Sequence, residues 1–261
     1  MLELYHSGQT TCSKQVRHCL REKNIPYESR WVELWRYENL SPAYLKINPN
    51  GVVPTLVHDG VPIINSFCIN EYIEDTFPER PLRPAAPVRR ARMRYWTWTA
   101  DDIHIATGRI SHANMLQDAA VKMSKEDREF MVAATPVPEK RYRWRRLVTG
   151  GWSEEEMQIA LDSCAYCLEK MEEELSHGGD FIVEGDDITL ADISMLAIVH
   201  RIRELYPTML DPAKLPLVNA WHDRLKARPA VDFVYNAQPG EVPKRPTFKS
   251  IAGIKEFQLA E

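Results

Sequence analysis

The stretch "NPNGVVPTLVHDGVPIINS", residues 48–66, decides the fold of the first part of the chain. It contains two short apolar runs, 55–57 and 61–64, and Asp59-Gly60 stands between them. Asp-Gly between apolar runs is a strong signal for a tight β-hairpin. Ser66 follows the second run and is a good helix N-cap, so the stretch predicts strand, turn, strand and helix.

The residues before this stretch predict the rest of a small α/β unit. The run "LELY", residues 2–5, is a strand candidate, and residues 12–25 have apolar positions at helical spacing. Residues 26–34, "PYESRWVEL", favour a second strand. The order strand, helix, strand, hairpin, helix predicts one α/β domain over residues 1–79.

The second part of the chain has a different character. Residues 80–88 are rich in proline, which indicates a linker between domains. Residues 89–235 lose the strand signals and show amphipathic helix patterns, so we expect an all-helical domain there. The strongest helical patterns cover residues 88–119, 154–175, 190–205 and 216–227. Residues 236–261 show little periodicity, and we expect a C-terminal tail.

Composition excludes several classes of protein. The chain has 261 residues, 44% of them hydrophobic, and a formal net charge of −4, which does not fit a nucleic-acid-binding protein. We expect no membrane partner, because no apolar run approaches the roughly 18 residues of a membrane span. The N-terminus does not resemble a secretory signal peptide. Five dispersed cysteines indicate reduced thiols, so we expect a cytoplasmic protein without a disulfide framework or a metal site.

Three blocks resemble the glutathione transferase superfamily. Residues 48–66 are similar to its N-x-x-G-x-V-P-x-L block, and Thr189–Val199 are similar to its helix-capping segment. Residues 217–231, "LVNAWHDRLKARPAV", are similar to the block near the C-terminus of the superfamily that ends in Arg-Pro. The resemblance implies a thioredoxin-like α/β N-terminal domain followed by an all-α C-terminal domain. It also implies glutathione as cosubstrate, a hydrophobic aromatic second substrate, and a homodimer or, alternatively, a heterodimer.

The same resemblance assigns glutathione-binding residues. It implies a cis peptide bond before Pro54 and strand-like pairing of the Val53 backbone with the cysteinyl part of glutathione. It also implies that Ser66 and the residue before it meet the γ-glutamyl carboxylate at a helix N-terminus. Asn65 stands where most members of the superfamily carry Glu or Gln.

The segment "TTCSKQVR", residues 10–17, places a thiol and hydroxyls at the predicted start of the first helix. Unpaired N–H groups and the helix dipole stabilise a thiolate at such a position. The segment resembles those of zeta-type transferases, with Thr11 in place of a serine. Cys12 matches a nucleophilic cysteine and Ser13 matches a serine that holds the glutathione thiolate, and the sequence leaves both alternatives open.

Within the superfamily, the middle of the chain is most similar to bacterial lignin β-aryl-etherases. The similar segments are "EYIEDTFPE" (71–79), "LRPAAPVRRA" (82–91), "RARMRYWT" (90–97) and "PVPEKRYRWRR" (136–146). This resemblance implies attack by glutathione thiolate on the carbon that bears an aryloxy group, alpha to an aromatic ketone. A phenolate leaves and a glutathione thioether forms.

Several residues of the helical domain are candidates for the pocket of that aromatic substrate. Aromatic and cationic side chains would provide flat walls and hydrogen-bond donors, and the candidates are Trp96, Trp98, His104, Arg109, His112 and Trp144. The basic run "RYRWRRL", residues 141–147, is interpreted instead as a surface helix with salt bridges.

Two other functions remain open. The first is a reductive dehalogenase or thiol reductase that uses Cys12, and the second is a non-catalytic binding protein or a subunit of a heteromer. Cys164 and Cys167 lie in a helical pattern without a second ligand pair, so we interpret them as a buried structural pair. Cys19 and Cys68 are predicted to lie on apolar helix faces.

Overall fold

The N-terminal part of the computed structural model, which describes residues 1–185 and 187–236, contains a four-stranded sheet in the order β2-β1-β3-β4. The strands are β1 (Leu2–His6), β2 (Glu28–Trp31), β3 (Thr55–His58) and β4 (Val61–Ile64). β1 and β2 are parallel, whereas β1/β3 and β3/β4 are antiparallel. The predicted order of strands and helices is confirmed. The predicted tail lies outside the described residues from position 237 onward.

Helices complete the first domain and form the second. They are α1 (Thr11–Glu22), α2 (Pro42–Ile47), α3 (Ser66–Thr76), α4 (Pro87–Met115), α5 (Gln117–Val121), α6 (Lys125–Ala134), α7 (Pro138–Val148), α8 (Glu154–Leu175), α9 (Leu190–Leu205), α10 (Pro216–Lys226) and α11 (Pro229–Tyr235). Short 3-10 turns cover Leu34–Arg36, Glu38–Leu40 and Pro207–Leu210. None of the helices in the described part of the chain is long and apolar enough to cross a membrane.

The hairpin forms as the Asp-Gly signal predicts. Asp59 and Gly60 have φ values of 48° and 80°, the left-handed pair that a two-residue hairpin turn requires. The register pairs Thr55 with Ile64 and Leu56 with Ile63.

One apolar core extends from the sheet into the helical domain. Leu4 and Leu56 on the sheet are fully buried with Leu20 of α1 and with Ile69 of α3. The same core continues through α4, α8, α9 and α10 to Trp221. The two domains therefore share packing, and α1 lies between the sheet and α9.

The predicted helix over residues 88 to about 119 is interrupted at one residue. α4 ends at Met115, and α5 begins at Gln117 directly after Leu116. Residues of α5 and the turn after it belong to a second apolar cluster, in which Ala120 and Met123 pack with Tyr37 and Leu147.

Candidate active site

The first turn of α1 holds its hydroxyl groups in two different environments. Thr10 is the N-cap, and its Oγ1 accepts a hydrogen bond from the backbone N–H of Ser13. The Ser13 side chain is fully buried, and its oxygen accepts from the Thr10 hydroxyl at 2.7 Å and from the Ser7 N–H at 3.3 Å. Ser13 therefore faces the interior of the protein, whereas Thr10, Thr11 and Cys12 line a cavity.

That cavity has a volume of about 320 Å³, within the range of small-molecule sites. It lies between the start of α1, the loop before β3, and helices α4, α5 and α7. Its lining is mainly apolar and aromatic and includes Leu34, Tyr37, Leu40, Val52, Val53, Met115, Leu116, Met123 and Trp144. The structure thus brings the N-terminal domain and the helical domain together around one pocket.

Cys12 and His104 meet across the domain boundary. The Cys12 Sγ lies 3.6 Å from His104 Nε2 of α4, although the two residues are 92 positions apart. Burial raises the pKa of the Cys12 thiol, but His104, a hydrogen bond from Ser66 and the Lys140 charge together lower it below its ordinary value. The facing thiolate charge raises the pKa of His104 despite its burial. Both directions favour a thiolate–imidazolium pair.

The loop before β3 is held firmly next to this pair. The peptide bond between Val53 and Pro54 is cis, as the resemblance implies. The carbonyl of Val52 accepts hydrogen bonds from the Tyr44 hydroxyl at 2.7 Å and from the Asn48 side chain at 2.8 Å. Because these bonds fix the chain just before Val53, its backbone keeps one position at the cavity wall.

The start of α3 corrects the prediction that Ser66 is the N-cap. Asn65 is the cap, and its Oδ1 accepts from the N–H groups of Phe67 at 2.9 Å and Cys68 at 3.2 Å. Asn65 has φ 70° and ψ 124°, a positive-φ backbone state outside the left-handed helical region and unfavourable for residues with a Cβ atom. Strained residues of this kind cluster at functional sites. Ser66 is the first helical residue and is buried.

The candidates for the substrate pocket fall into two groups. His104, His112 and Trp144 line the cavity, and the His112 and Trp144 rings lie 5.8 Å apart. Trp98 is 60% exposed and is not among the lining residues. Arg109 is also outside the lining, because its guanidinium donates to the Glu156 carbonyl and lies 4.8 Å from the Trp152 ring. Trp96 is only 2% exposed and belongs to the core.

Helix α7 contributes cations to the cavity that the sequence interpretation missed. Lys140, Arg143 and Trp144 occupy positions i, i+3 and i+4 and all line the pocket. Arg146 forms the expected salt bridge, at 2.6 Å to Glu156, so only part of this basic run serves the surface. Trp144 was the available signal in the sequence for a buried face of α7, because a tryptophan within a basic run indicates a helix face that packs inward.

Burial and repulsion between like charges lower the pKa values of Lys140 and His112. Desolvation, helped by the Arg143 charge, lowers the pKa of Lys140 to about 8. Desolvation and the Arg143, His104 and Lys140 charges lower the pKa of His112 to about 3. His112 is therefore a neutral imidazole at pH 7, whereas Lys140 is mostly charged.

The other cysteines do not join this site. Cys164 and Cys167 are buried in α8 as predicted, and burial raises the pKa of both thiols to about 12. Cys19 is buried in the core as predicted, but the prediction for Cys68 is wrong because it is exposed. Cys68 follows the Asn65 cap, and the apolar face of α3 is formed instead by Ile69 and Ile73.

The fold combines a thioredoxin-like sheet domain with a helical domain, and a thiol group lies between the two. This combination is typical of two-domain proteins that act on thiols. Residues 11–76 match the family described as "Glutathione S-transferase, N-terminal domain", and residues 151–233 match "Glutathione S-transferase, C-terminal domain". Protein LigF from Sphingobium sp. is 34% identical over 247 residues, which cover 92% of this chain and 95% of that protein. The chain belongs to the glutathione S-transferase family and is an enzyme of the transferase type.

Two further comparisons describe its place in that family. The crystal structure of β-etherase LigF from Sphingobium sp. strain SYK-6 superposes with a TM-score of 0.84 and 34% identity, covering 90% of this chain and 98% of LigF. A probable maleylacetoacetate isomerase of Caenorhabditis elegans is 29% identical over 229 residues, which cover 87% of this chain and 89% of the isomerase.

Proposed function

We propose that the protein cleaves β-aryl ethers of aromatic ketones by means of glutathione. The observation that carries this proposal is the 34% identity to a β-etherase over 92% of the chain, together with a TM-score of 0.84. The aromatic wall of the cavity supports it, because flat apolar side chains suit an aryl ketone.

We assign glutathione to the N-terminal side of the cavity. The backbone of Val53, which lines the cavity, would pair with the cysteinyl part of the tripeptide. The start of α3, with Asn65 and Ser66, would offer the Ser66 N–H and the positive end of a helix dipole to the γ-glutamyl carboxylate. The glutathione sulfur would then lie at the first turn of α1, beside Thr11 and Cys12.

His104 is the group best placed to stabilise the glutathione thiolate. It faces the start of α1 from the helical domain, and its pKa is raised by a neighbouring negative charge. The thiolate attacks the carbon that bears the aryloxy group, the carbon–oxygen bond breaks, and the phenolate leaves with the bonding electron pair. The protein aligns the reactants and keeps the thiol ionised.

The first test combines the purified protein, glutathione and a β-aryloxy aromatic ketone. We expect one phenol to be released for each glutathione consumed, with a glutathione thioether of the ketone identified by mass spectrometry. Absence of glutathione binding by calorimetry at millimolar ligand would refute the proposal and favour a non-catalytic binding protein. Binding without phenol release would refute the proposed reaction alone.

The pairing of Cys12 with His104 favours a second candidate function. A thiolate–imidazolium pair at the cavity is suited to attack by Cys12 on a sulfur atom. In reductive dehalogenation, glutathione first displaces the halide to form a thioether, and Cys12 then attacks the glutathione sulfur. The carbon–sulfur bond breaks, its electron pair and a proton give the dehalogenated product, and a second glutathione releases Cys12 from the mixed disulfide as glutathione disulfide. In thiol exchange, Cys12 attacks the sulfur of a disulfide substrate and the other thiolate leaves.

Two substitutions separate the two reactions. Cys12→Ala abolishes thiol exchange and leaves ether cleavage if glutathione itself is the nucleophile. Ser13→Ala tests the prediction that this serine holds the thiolate. Since Ser13 is buried and bonded to Thr10, we expect its replacement to affect stability more than the rate of ether cleavage.

We also propose a cytoplasmic dimer, as the family resemblance implies. Exposed aromatic side chains on α4 and α8 support a protein partner, since Tyr95, Trp98 and Tyr166 are 54%, 60% and 63% exposed. Light scattering on the purified chain tests the dimer, and Trp98→Glu is expected to weaken it.

A further inference from the structure

The cavity carries an unbalanced positive charge. No Asp or Glu is among the described residues that line it, whereas Lys140, Arg143 and Arg201 are. Arg201 is already engaged, because it donates to the Gln9 carbonyl at 2.7 Å and pairs with Glu204 at 3.1 Å. The charges of Lys140 and Arg143 are left without such partners.

The nearest carboxylates do not neutralise these two cations. Asp101 and Glu139 act electrostatically on Lys140 and Arg143, respectively, but both carboxylates are on exposed residues. The Cys12 thiolate also acts on both cations, but its charge is already paired with His104. Within the described part of the chain, neither cation has an ion pair within 4.0 Å or a hydrogen bond. The Arg143 Nε is buried without an acceptor.

The backbone of α4 makes room for Arg143. A Cβ atom at Gly108 would lie 2.8 Å from Arg143 Nη1, so the guanidinium can pack this closely against α4 only because residue 108 is glycine. Gly108 is one turn after His104, which pairs with Cys12. The guanidinium is therefore placed next to the reacting centre, and the Trp144 ring forms the adjacent wall.

Partly removing two cations from water without a directly bonded counter-ion is unfavourable, and an anionic ligand relieves that cost. A carboxylate matches the planar fork of an arginine and accepts a further bond from a lysine. The neutral His112 beside them adds no charge. An aromatic acid would thus fill the apolar cavity with its ring and bind the two cations with its carboxylate.

We propose that the second substrate is an aromatic ether that carries a carboxylate, and that Lys140 and Arg143 bind this carboxylate. The inference deepens the proposed ether cleavage and rests on the same site. It does not involve the γ-glutamyl carboxylate of glutathione, which the start of α3 would hold.

Binding is tested first, because it does not depend on turnover. Calorimetry compares an aryloxyacetic acid with its methyl ester, in the presence of S-methylglutathione to occupy the glutathione site. We expect the acid to bind about tenfold more tightly than the ester, which is about 1.4 kcal/mol. Equal binding, or tighter binding of the ester, would overturn the inference.

The variants Lys140→Met and Arg143→Gln are expected to reduce this acid-to-ester ratio toward one. The matched control is Arg145→Gln, which removes the same charge from the exposed side of α7 and leaves the ratio unchanged. Gly108→Ala keeps all charges but forces Arg143 to move, so it also lowers the ratio. If Lys140→Met and Arg143→Gln weaken glutathione binding and leave the ratio intact, the cations serve glutathione and the inference fails.

Turnover then separates this inference from the proposed reaction. Matched β-aryloxy ketones with a carboxylate or a methyl ester on the aryloxy ring are compared by kcat/KM. Selective binding of the acid without cleavage of either ketone refutes ether cleavage and supports the anion site. Cleavage of both ketones at equal kcat/KM supports ether cleavage and refutes the anion site.

Discussion

Replacing Asp192 with alanine should destabilise the protein severely, because this one carboxyl group satisfies several buried donors. It accepts hydrogen bonds from the backbone N–H groups of Ile182 and Thr189, both at 2.9 Å, and from Trp221 Nε1 at 2.9 Å. The Thr189 hydroxyl donates at 3.0 Å. Asp192 and Trp221 are both fully buried, so water does not reach the group.

The size of the effect follows from the donors left behind. In Asp192→Ala the hydroxyl can rotate to another partner, but three N–H groups lose their acceptor. Each unsatisfied buried donor costs about 1–3 kcal/mol, and local relaxation recovers part of the sum. We therefore expect a loss of about 3–6 kcal/mol, a large part of the roughly 5–15 kcal/mol that stabilises a typical domain.

Urea unfolding followed by tryptophan fluorescence measures this loss, and α8 offers a matched control. Ser153 and Glu156 form the same type of capping box on an exposed helix start. Ser153→Ala should cost only about 1 kcal/mol, because water replaces the lost bond. Asp192→Asn should fall between the two, since its oxygen still accepts. A loss for Asp192→Ala no larger than that for Ser153→Ala would refute the burial argument.

Other consequences concern the titrating groups. His104→Asn should raise the pKa of Cys12 and slow its alkylation by iodoacetamide at pH 7, measured as a rate against pH. The acid-to-ester binding ratio should fall between pH 7 and 9, because Lys140, whose pKa is about 8, loses its charge there. Burial opposes the ionisation of Glu22, but hydrogen bonds from Arg228 and His18 lower its pKa from 4.5 to about 2. Its contribution to stability is complete above about pH 5 and lost as the pH falls toward 2. Glu22→Gln should remove this part of the pH dependence of unfolding.

The alkylation and binding experiments each have a control. The alkylation experiment needs a Cys68→Ser background, since Cys68 is exposed. An alkylation profile of His104→Asn identical to that of the parent would show that the imidazole does not act on the thiol. The pH dependence of the binding ratio should disappear in Lys140→Met. If it persists, another group titrates in that range.

Sequence reasoning worked best where neighbouring residues determine the structure. The hairpin at Asp59-Gly60 and the capping box at Thr189–Asp192 each depend on a few adjacent positions. The assignment of Ser66 as N-cap failed for a related reason. Asn65 satisfies the first N–H groups of α3 with its side-chain oxygen, and the overlooked signal was that Asn is as good an N-cap as Ser.

The chemistry of the site could not be predicted in the same way. Cys12 was a candidate from its position at a helix start, but its partner His104 comes from another domain. The inward face of α7, with Lys140 and Arg143, is defined by tertiary packing. Leu147 and Trp144 of α7 pack in the same apolar cluster as Tyr37, and no local pattern encodes these contacts.

The contact between Cys12 and His104 makes the thiol chemistry a property of the interface between the domains. A distance of 3.6 Å persists only if α1 keeps its position against the helical domain. Several polar contacts hold it there. Gln15 donates to the Ser194 carbonyl at 3.1 Å, and Arg228 binds both carboxylate oxygens of Glu22 at 2.7 and 2.8 Å.

The electrostatic consequence is that the lowered pKa of the Cys12 thiol depends largely on the packing of the two domains. Either domain alone contains only half of the site, since the N-terminal domain lacks His104, Lys140 and Arg143, and the helical domain lacks Cys12. An opposite charge a few ångströms away alters a pKa strongly in a dry site, but a small separation of the domains admits water and weakens the effect. Changes at the α1–α11 contact, far from the cavity, should therefore reduce the reactivity of Cys12 before they unfold the chain.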